Sequence, residues 1–268
     1  SLEAAGMGGI VVPGPGIGIH REAPGLKGKM KRLSIKYQRA HPAVRIYRLN
    51  AHNKTAIMTF RGNGGRVDMS AELGRFRTPK RPTWLRKSKW PGMRVHEGFL
   101  RQYATIRDEV IAQSKRFKRI LLTGYSSGSM MAMLATLDIA EQCRGQQTYT
   151  VVFGGAHMGN ADMGRAFEEA KQMGKATVFK VNNQADIVSQ IPFAATPNFQ
   201  GMQSELLHYI PACPVISFYA SDDTSTLMDG HATQHMQKAL EAGKWGQVDP
   251  LRDAPIGPAG KVMVGGTF

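Results

Sequence analysis

The sequence predicts an α/β domain with a mainly parallel central sheet and helices on both of its faces. Three observations lead there. Short apolar runs alternate along the chain with segments of helical periodicity, the order expected of strands joined by crossover helices. One such run, Ile120 to Leu122, breaks off at Gly124-Tyr125-Ser126-Ser127-Gly128, and a helix-forming segment follows at once. The 268 residues suit one large domain of this kind, with ample length to bury a core.

Residues 1–40 read as an arm. Residues 5–18 hold too much Gly and Pro for a helix or a central strand, and Lys27, Lys29, Lys31, Arg32, Lys36 and Arg39 make the rest a solvated basic stretch. The domain proper is expected over 41–245, with an irregular tail at 246–268. Val44 to Leu49 alternates apolar with basic residues, as a half-buried strand should, and Thr55 to Phe60 completes a hairpin. That second strand runs into Arg61-Gly62-Asn63-Gly64-Gly65, a turn whose backbone amides can point at a ligand oxygen.

Residues 66–94 lack clear periodicity and interleave nine Lys and Arg with Phe76, Trp84, Leu85 and Trp90. A stretch of this length is expected to be a basic, lid-like loop. Indoles beside cations suit an anionic membrane or lipid interface, so Trp84 and Trp90 are candidate contacts. The alternative is a solvated loop whose tryptophans pack back on the body. One amphipathic helix is expected over 97–117, with Phe99, Tyr103, Ile106, Val110 and Phe117 on one face. After the serine turn, Met130, Met133, Leu134 and Leu137 share a helical face and read as core filling. Thr148 to Phe153, Thr177 to Val181 and Pro214 to Tyr219 read as strands, Asp162 to Lys171 and Gly230 to Leu240 as helices.

The net charge of +15 is distributed unevenly: residues 1–120 carry +19 and residues 121–268 carry −4. A field of that kind concentrates anionic partners, whether phospholipid surfaces, nucleic acid or acidic proteins. Nucleic acid is weakly favoured, because only Tyr37 offers a stacking ring within the basic arm. No apolar run reaches the length of a membrane-spanning helix. Two cysteines, Cys143 and Cys213, exclude a disulfide scaffold. The first residues, Ser-Leu-Glu, suggest a processed product; secretion or a membrane-surface location is favoured, and release from a polyprotein is compatible.

Gly-x-Ser-x-Gly between a strand and a helix is the nucleophile elbow of α/β hydrolases. A serine hydroxyl attacks only when an imidazole takes its proton, and that imidazole needs a carboxylate to hold its tautomer. Downstream of Ser126 stand His157, His208, His231 and His235, and the carboxylates after strands are Asp186 and the pair Asp222, Asp223. Spacing alone leaves several combinations open.

Five segments in order narrow them. Thr59-Phe60-Arg61-Gly62-Asn63, Val95-His96-Glu97-Gly98-Phe99, the elbow, Phe153-Gly154 with Gly159-Asn160, and Val181-Asn182 through Asp186-Ile187-Val188 and Pro192 resemble the class 3 lipases. These are the α/β hydrolases of the fungal triacylglycerol-lipase type, and the likeness spans about residues 44–242. The resemblance implies Ser126 as nucleophile, Asp186 as acid and His231 as base, with His235 the alternative base. It also implies the backbone amides of Asn63 and Ser127 as the oxyanion hole, a structural part for His96, and no metal or organic cofactor. The chain departs from the pattern at the elbow, Tyr-Ser-Ser-Gly-Ser where His-Ser-Leu-Gly-Gly is common, and at Asn63, where Thr or Ser is usual. The implied activity is hydrolysis of lipid esters through an acyl-serine, as a lipase or a phospholipase A1. A binding module of the same fold, its basic half gripping nucleic acid or an acidic partner, is the alternative.

Overall fold

A computed structural model describes residues 30–37, 41–49, 54–62, 79–85, 90–184, 186–190, 212–218, 231 and 245–248. Its strands are β1 (Met30–Tyr37), β2 (His41–Leu49), β3 (Thr55–Phe60), β4 (Pro79–Lys80), β5 (Val95–His96), β6 (Arg119–Tyr125), β7 (Gln147–Phe153), β8 (Ala176–Asn183), β9 (Val215–Phe218) and β10 (Trp245–Val248). The helices are α1 (Glu97–Ala104), α2 (Arg107–Ser114), α3 (Ser127–Gln142) and α4 (Ala161–Gln172). Eight strands form one sheet in the order β1-β2-β3-β6-β7-β8-β9-β10, and β4 pairs with β5 alone. Strands β3, β6, β7, β8 and β9 are parallel to one another, while β1, β2 and β10 join antiparallel at the edges.

Parallel strands bring their C-terminal ends to one edge, and ligands bind outside that edge in open α/β sheets. The register places Phe60, Gly124, Val152 and Lys180 in adjacent positions across β3, β6, β7 and β8. The segments that follow these strands, with the elbow at their centre, therefore share one edge. One face of the sheet carries Val44, Ile46, Met58, Ile120, Leu122 and Val152, all almost fully buried. Helix α3 lies against it, and the hydroxyls of Thr136 and Thr150 meet at 2.7 Å. On the opposite face Tyr149 and Val151 are 47% and 38% exposed. The expected last helix, 230–240, lies outside the described residues apart from His231.

Four elements differ from the sequence expectation. Helix α3 is buried on every side from Ser127 to Ala140, not along a single Met stripe. A helix that is apolar all round belongs in the middle of a core, and α1, α2 and α4 pack around this one. The single helix expected over 97–117 is two. Thr105 Oγ1 donates to the carbonyl of Gln102 at 2.7 Å, and the Ile106 amide donates to that of Tyr103 at 3.0 Å. A side chain capturing its own helix carbonyls competes with the next turn, and the break aims Arg107 at Asp138. Met30–Tyr37, inside the expected arm, is instead the edge strand β1, and β10 crosses the expected start of the tail.

Candidate active site

Ser126 sits between β6 and α3 with φ 55° and ψ −129°, a conformation that a residue other than glycine keeps only when its surroundings enforce it. Its N–H donates to the carbonyl of Phe153 at 3.0 Å, and its own carbonyl accepts from the Ser129 amide at 2.9 Å. Ser129, where the resemblance would place glycine, holds its hydroxyl 2.6 Å from Phe153 O and 3.1 Å from Gly124 O, bracing the turn from within. The flanking glycines are steric necessities. A Cβ on Gly124 would lie 2.2 Å from the Gly128 carbonyl oxygen, and one on Gly128 would lie 2.4 Å from that of Phe60.

Asp186 follows β8 and is fully buried. Its amide donates to the carbonyl of Asn183 at 3.0 Å, and its own carbonyl accepts from Ser189 Oγ at 2.8 Å. One carboxylate oxygen, Oδ1, accepts from the Val188 amide at 2.9 Å, which caps the 3-10 turn Ile187–Gln190. The other, Oδ2, lies 2.7 Å from His231 Nδ1. His231 Nε2 in turn lies 3.0 Å from Ser126 Oγ. Residues 105 and 45 positions from His231 thus meet on the two nitrogens of one imidazole that is 9% exposed. A carboxylate on Nδ1 keeps that proton in place and leaves the Nε2 lone pair free to accept from the serine, the arrangement that makes an alkoxide-like nucleophile accessible.

Ser127 is the first residue of α3 and 6% exposed. Backbone N–H groups at that position have no partner within the helix, and the helix dipole favours negative charge beside them. Asn63, the other residue read as an oxyanion donor, lies outside the described residues, as do Asp222, Asp223, His208 and His235. Most of residues 66–94, read from sequence as a lid-like loop, is also outside them. Its described tryptophans, Trp84 and Trp90, are partly buried against the core. Trp84 meets the Tyr103 ring edge-on at 6.4 Å, and the Arg107 guanidinium lies 5.9 Å from its centre. That packing lends no support to a membrane-inserted indole at either position.

His96 is fully buried and caps α1, its Nδ1 accepting from the Gly98 amide at 3.1 Å. Burial pushes it down to about 4, so the neutral, accepting ring is kept. His157 is buried as well. Two residues near the site were given no role from sequence. Tyr125 lies against the His231 ring, and the only hint was an aromatic directly before the serine. Lys180 is buried in β8, its Nζ 3.3 Å from the carbonyl oxygen of Ala156. Burial pushes its ammonium down to about 8, countered by Cys213 and Asp186. Strand alternation with Val178 and Asn182 would have flagged this lysine as facing the core.

The family model for lipase (class 3) matches residues 57–196, a little over half the chain. Comparison with curated protein sequences yields no match. Among solved structures, the chain resembles the lipase of Rhizomucor miehei in its propeptide complex, with a TM-score of 0.52 at 20% identity over 74% of this chain and 59% of that one. It resembles the lipase of Rhizopus microsporus var. chinensis with a TM-score of 0.51 at 20% identity, over 74% of this chain and 64% of that one. A triacylglycerol lipase of Penicillium expansum gives 0.53 at 12% identity, over 79% and 69%. The chain thus spans under two thirds of the length of the first two, and likenesses at these identities speak for the fold. The family match runs from β3 through the elbow to the turn that carries Asp186, and the chain belongs to the class 3 lipase family, with an α/β-hydrolase fold.

Proposed function

We propose that the protein is a serine hydrolase of lipid carboxylic esters, working through an acyl-serine intermediate. The observation that supports this most is the continuous relay from Asp186 Oδ2 through both nitrogens of His231 to Ser126 Oγ, at 2.7 and 3.0 Å. In this reading Ser126 Oγ attacks the ester carbonyl as its proton passes to His231 Nε2. The carbonyl oxygen becomes an oxyanion, met by the amides of Ser127 and Asn63; loss of one such donor typically costs on the order of 10²–10³ in turnover. The imidazolium then protonates the leaving alcohol as the C–O bond breaks. Water repeats the sequence on the acyl-enzyme: His231 takes its proton, the acid leaves, and Ser126 regains its hydrogen. Asp186 stays ionised and steadies the imidazolium throughout.

The charge of +19 on residues 1–120 refines the substrate. An anionic phospholipid surface would be drawn to that half, which favours phospholipase A1 activity at the sn-1 ester over cleavage of neutral acylglycerol. With Trp84 and Trp90 packed on the core, attraction to the surface would rest on Lys and Arg and weaken with salt.

A fluorophosphonate probe tests the chemistry. It is expected to label Ser126 in the native protein, and Ser126→Ala is expected to abolish labelling and lower ester turnover by roughly 10⁴-fold or more. Phosphatidylglycerol vesicles should be hydrolysed faster than phosphatidylcholine vesicles, and the difference should shrink with salt. A protein that does not label, yet binds RNA or DNA with a steep salt dependence, would replace this reading with the binding module.

A further inference from the structure

The hydrogen bonds on the two nitrogens of His231 tie the ring to two atoms, Asp186 Oδ2 and Ser126 Oγ, which define one line. They hold that line in place but leave the tilt of the imidazole about it free. One face of the ring is covered by Tyr125: the ring centres are 4.8 Å apart and the planes differ by 27°. Tyr125 is the last residue of β6, paired across the sheet with Phe153, and it is 8% exposed. Its backbone is pinned by the same turn that strains Ser126, so the stacking ring and the nucleophile are presented by consecutive residues. A phenol face is the negative end of an aromatic quadrupole and attracts a cation laid over it. The imidazole becomes a cation only after it has taken the proton of Ser126.

We propose that Tyr125 is a positioning residue for His231, fixing the tilt of its ring and favouring the imidazolium that forms as Ser126 attacks. This inference rests on the Ser126–His231–Asp186 reading above. Contact strengthened only after proton transfer lowers the barrier and leaves the ground state alone, which is where binding energy accelerates a reaction. The groups facing the imidazole among the described residues are Asp186 at Nδ1, Ser126 at Nε2 and Tyr125 on its face. Lys180, buried in β8, is near enough for the Asp186 carboxylate to favour its charged form. Burial pushes the Tyr125 phenol up, so the ring stays neutral across the working range of an esterase assay.

The test is the pH profile of kcat and kcat/KM on a soluble p-nitrophenyl ester, with fluorophosphonate labelling run on every variant. Tyr125→Phe keeps the ring and is expected to keep both the rate and the acid limb. Tyr125→Leu removes it: kcat should fall about 3- to 30-fold, KM should hold, and the acid limb should move to lower pH because the imidazolium has lost its support. Leucine could also disturb the core. Phenylalanines carrying increasing ring fluorination, placed at position 125, keep the shape while draining the quadrupole. A graded fall in kcat along that series supports the proposal. A flat series in proteins that still label at Ser126 overturns it and leaves the proposed function standing. A native protein that neither labels nor hydrolyses the ester overturns both.

Discussion

Two carboxylates in this molecule are equally hidden, and their neighbours give them different work. Asp138, in the C-terminal half of α3, and Asp186, after β8, are both fully buried. Asp138 accepts from Arg107 Nε at 2.7 Å and Nη2 at 3.1 Å, and from the Tyr103 hydroxyl at 3.0 Å. Burial pushes the Asp138 carboxyl up, and the guanidinium pulls against it. Arginine does not release its proton in a protein, so that pair is a fixed weld between α2 and α3, with Trp84 laid over the guanidinium. Asp186 instead faces an imidazole, a side chain that can accept and release a proton in a reaction. On the proposed mechanism, a buried carboxylate serves as a brace or as a chemical group according to whether its partner can exchange a proton.

The sharpest way to break this comparison is to neutralise each acid in turn. Asp186→Asn is expected to lower ester turnover by roughly 10⁴-fold, because the amide no longer holds the required imidazole tautomer. Its thermal midpoint should move little, since the capping contact to Val188 can survive. Comparable turnover in Asp186→Asn would remove the distinction altogether. Asp138→Asn should do the reverse. Turnover should stay within about threefold of the native value, while urea denaturation shows a loss of about 3 kcal/mol, from weakening the charged hydrogen bonds that the partly exposed Arg107 and the buried Tyr103 make to this carboxylate.

The smallest expected effect concerns a third buried ion. Lys180 donates to Ala156 O and, with the Asn182 amide turned so that both its ends are partnered, to that oxygen at 3.3 Å as well. Neither acceptor carries a full charge, unlike the carboxylate that Arg107 meets. Its ammonium is pushed down to about 8 from 10.5, so above 10.5 both folded and unfolded chains hold it neutral and the fold is spared the burial of a charge. As pH falls through 10.5 towards 8 the unfolded chain takes up the proton first, and stability is lost. Native protein should therefore gain up to about 3 kcal/mol relative to Lys180→Met as pH rises across that window. Parallel stability curves for the two proteins would show that the lysine is not desolvated as its burial implies.

The parts of the site that were readable in advance are those set by neighbours along the chain. The elbow is a local steric problem: a Cβ at Gly124 or Gly128 would overlap backbone atoms at 2.2 and 2.4 Å. Strand alternation in β2 and the apolar run of β6 are likewise local, and the sheet is built on them. The break between α1 and α2 was not readable, because the pattern of apolar residues continues through it. What ends α1 is a threonine side chain turned onto a carbonyl, and what makes the break useful is an aspartate 31 residues further on. Strand β1 was hidden for a similar reason. Met-Lys-Arg-Leu-Ser-Ile-Lys-Tyr reads as a basic arm until the neighbouring strand β2 pairs with it. Trp84 and Trp90 show the same limit from the other side: composition suits them to a lipid surface, and only the packing shows them partly buried against the core.

By itself, the sequence determined the α/β class, the sharp turn at Ser126 and the small set of acids and histidines from which a relay could be drawn. These depend on steric limits and periodicities that act over a few residues. Only the tertiary structure brought His231 between Ser126 and Asp186, laid Tyr125 on its face, and gave Asp138 a guanidinium in place of an imidazole. Those meetings join residues far apart along the chain. Which distant groups end up in contact is decided by how the sheet and its helices pack, a balance that no short stretch of residues contains.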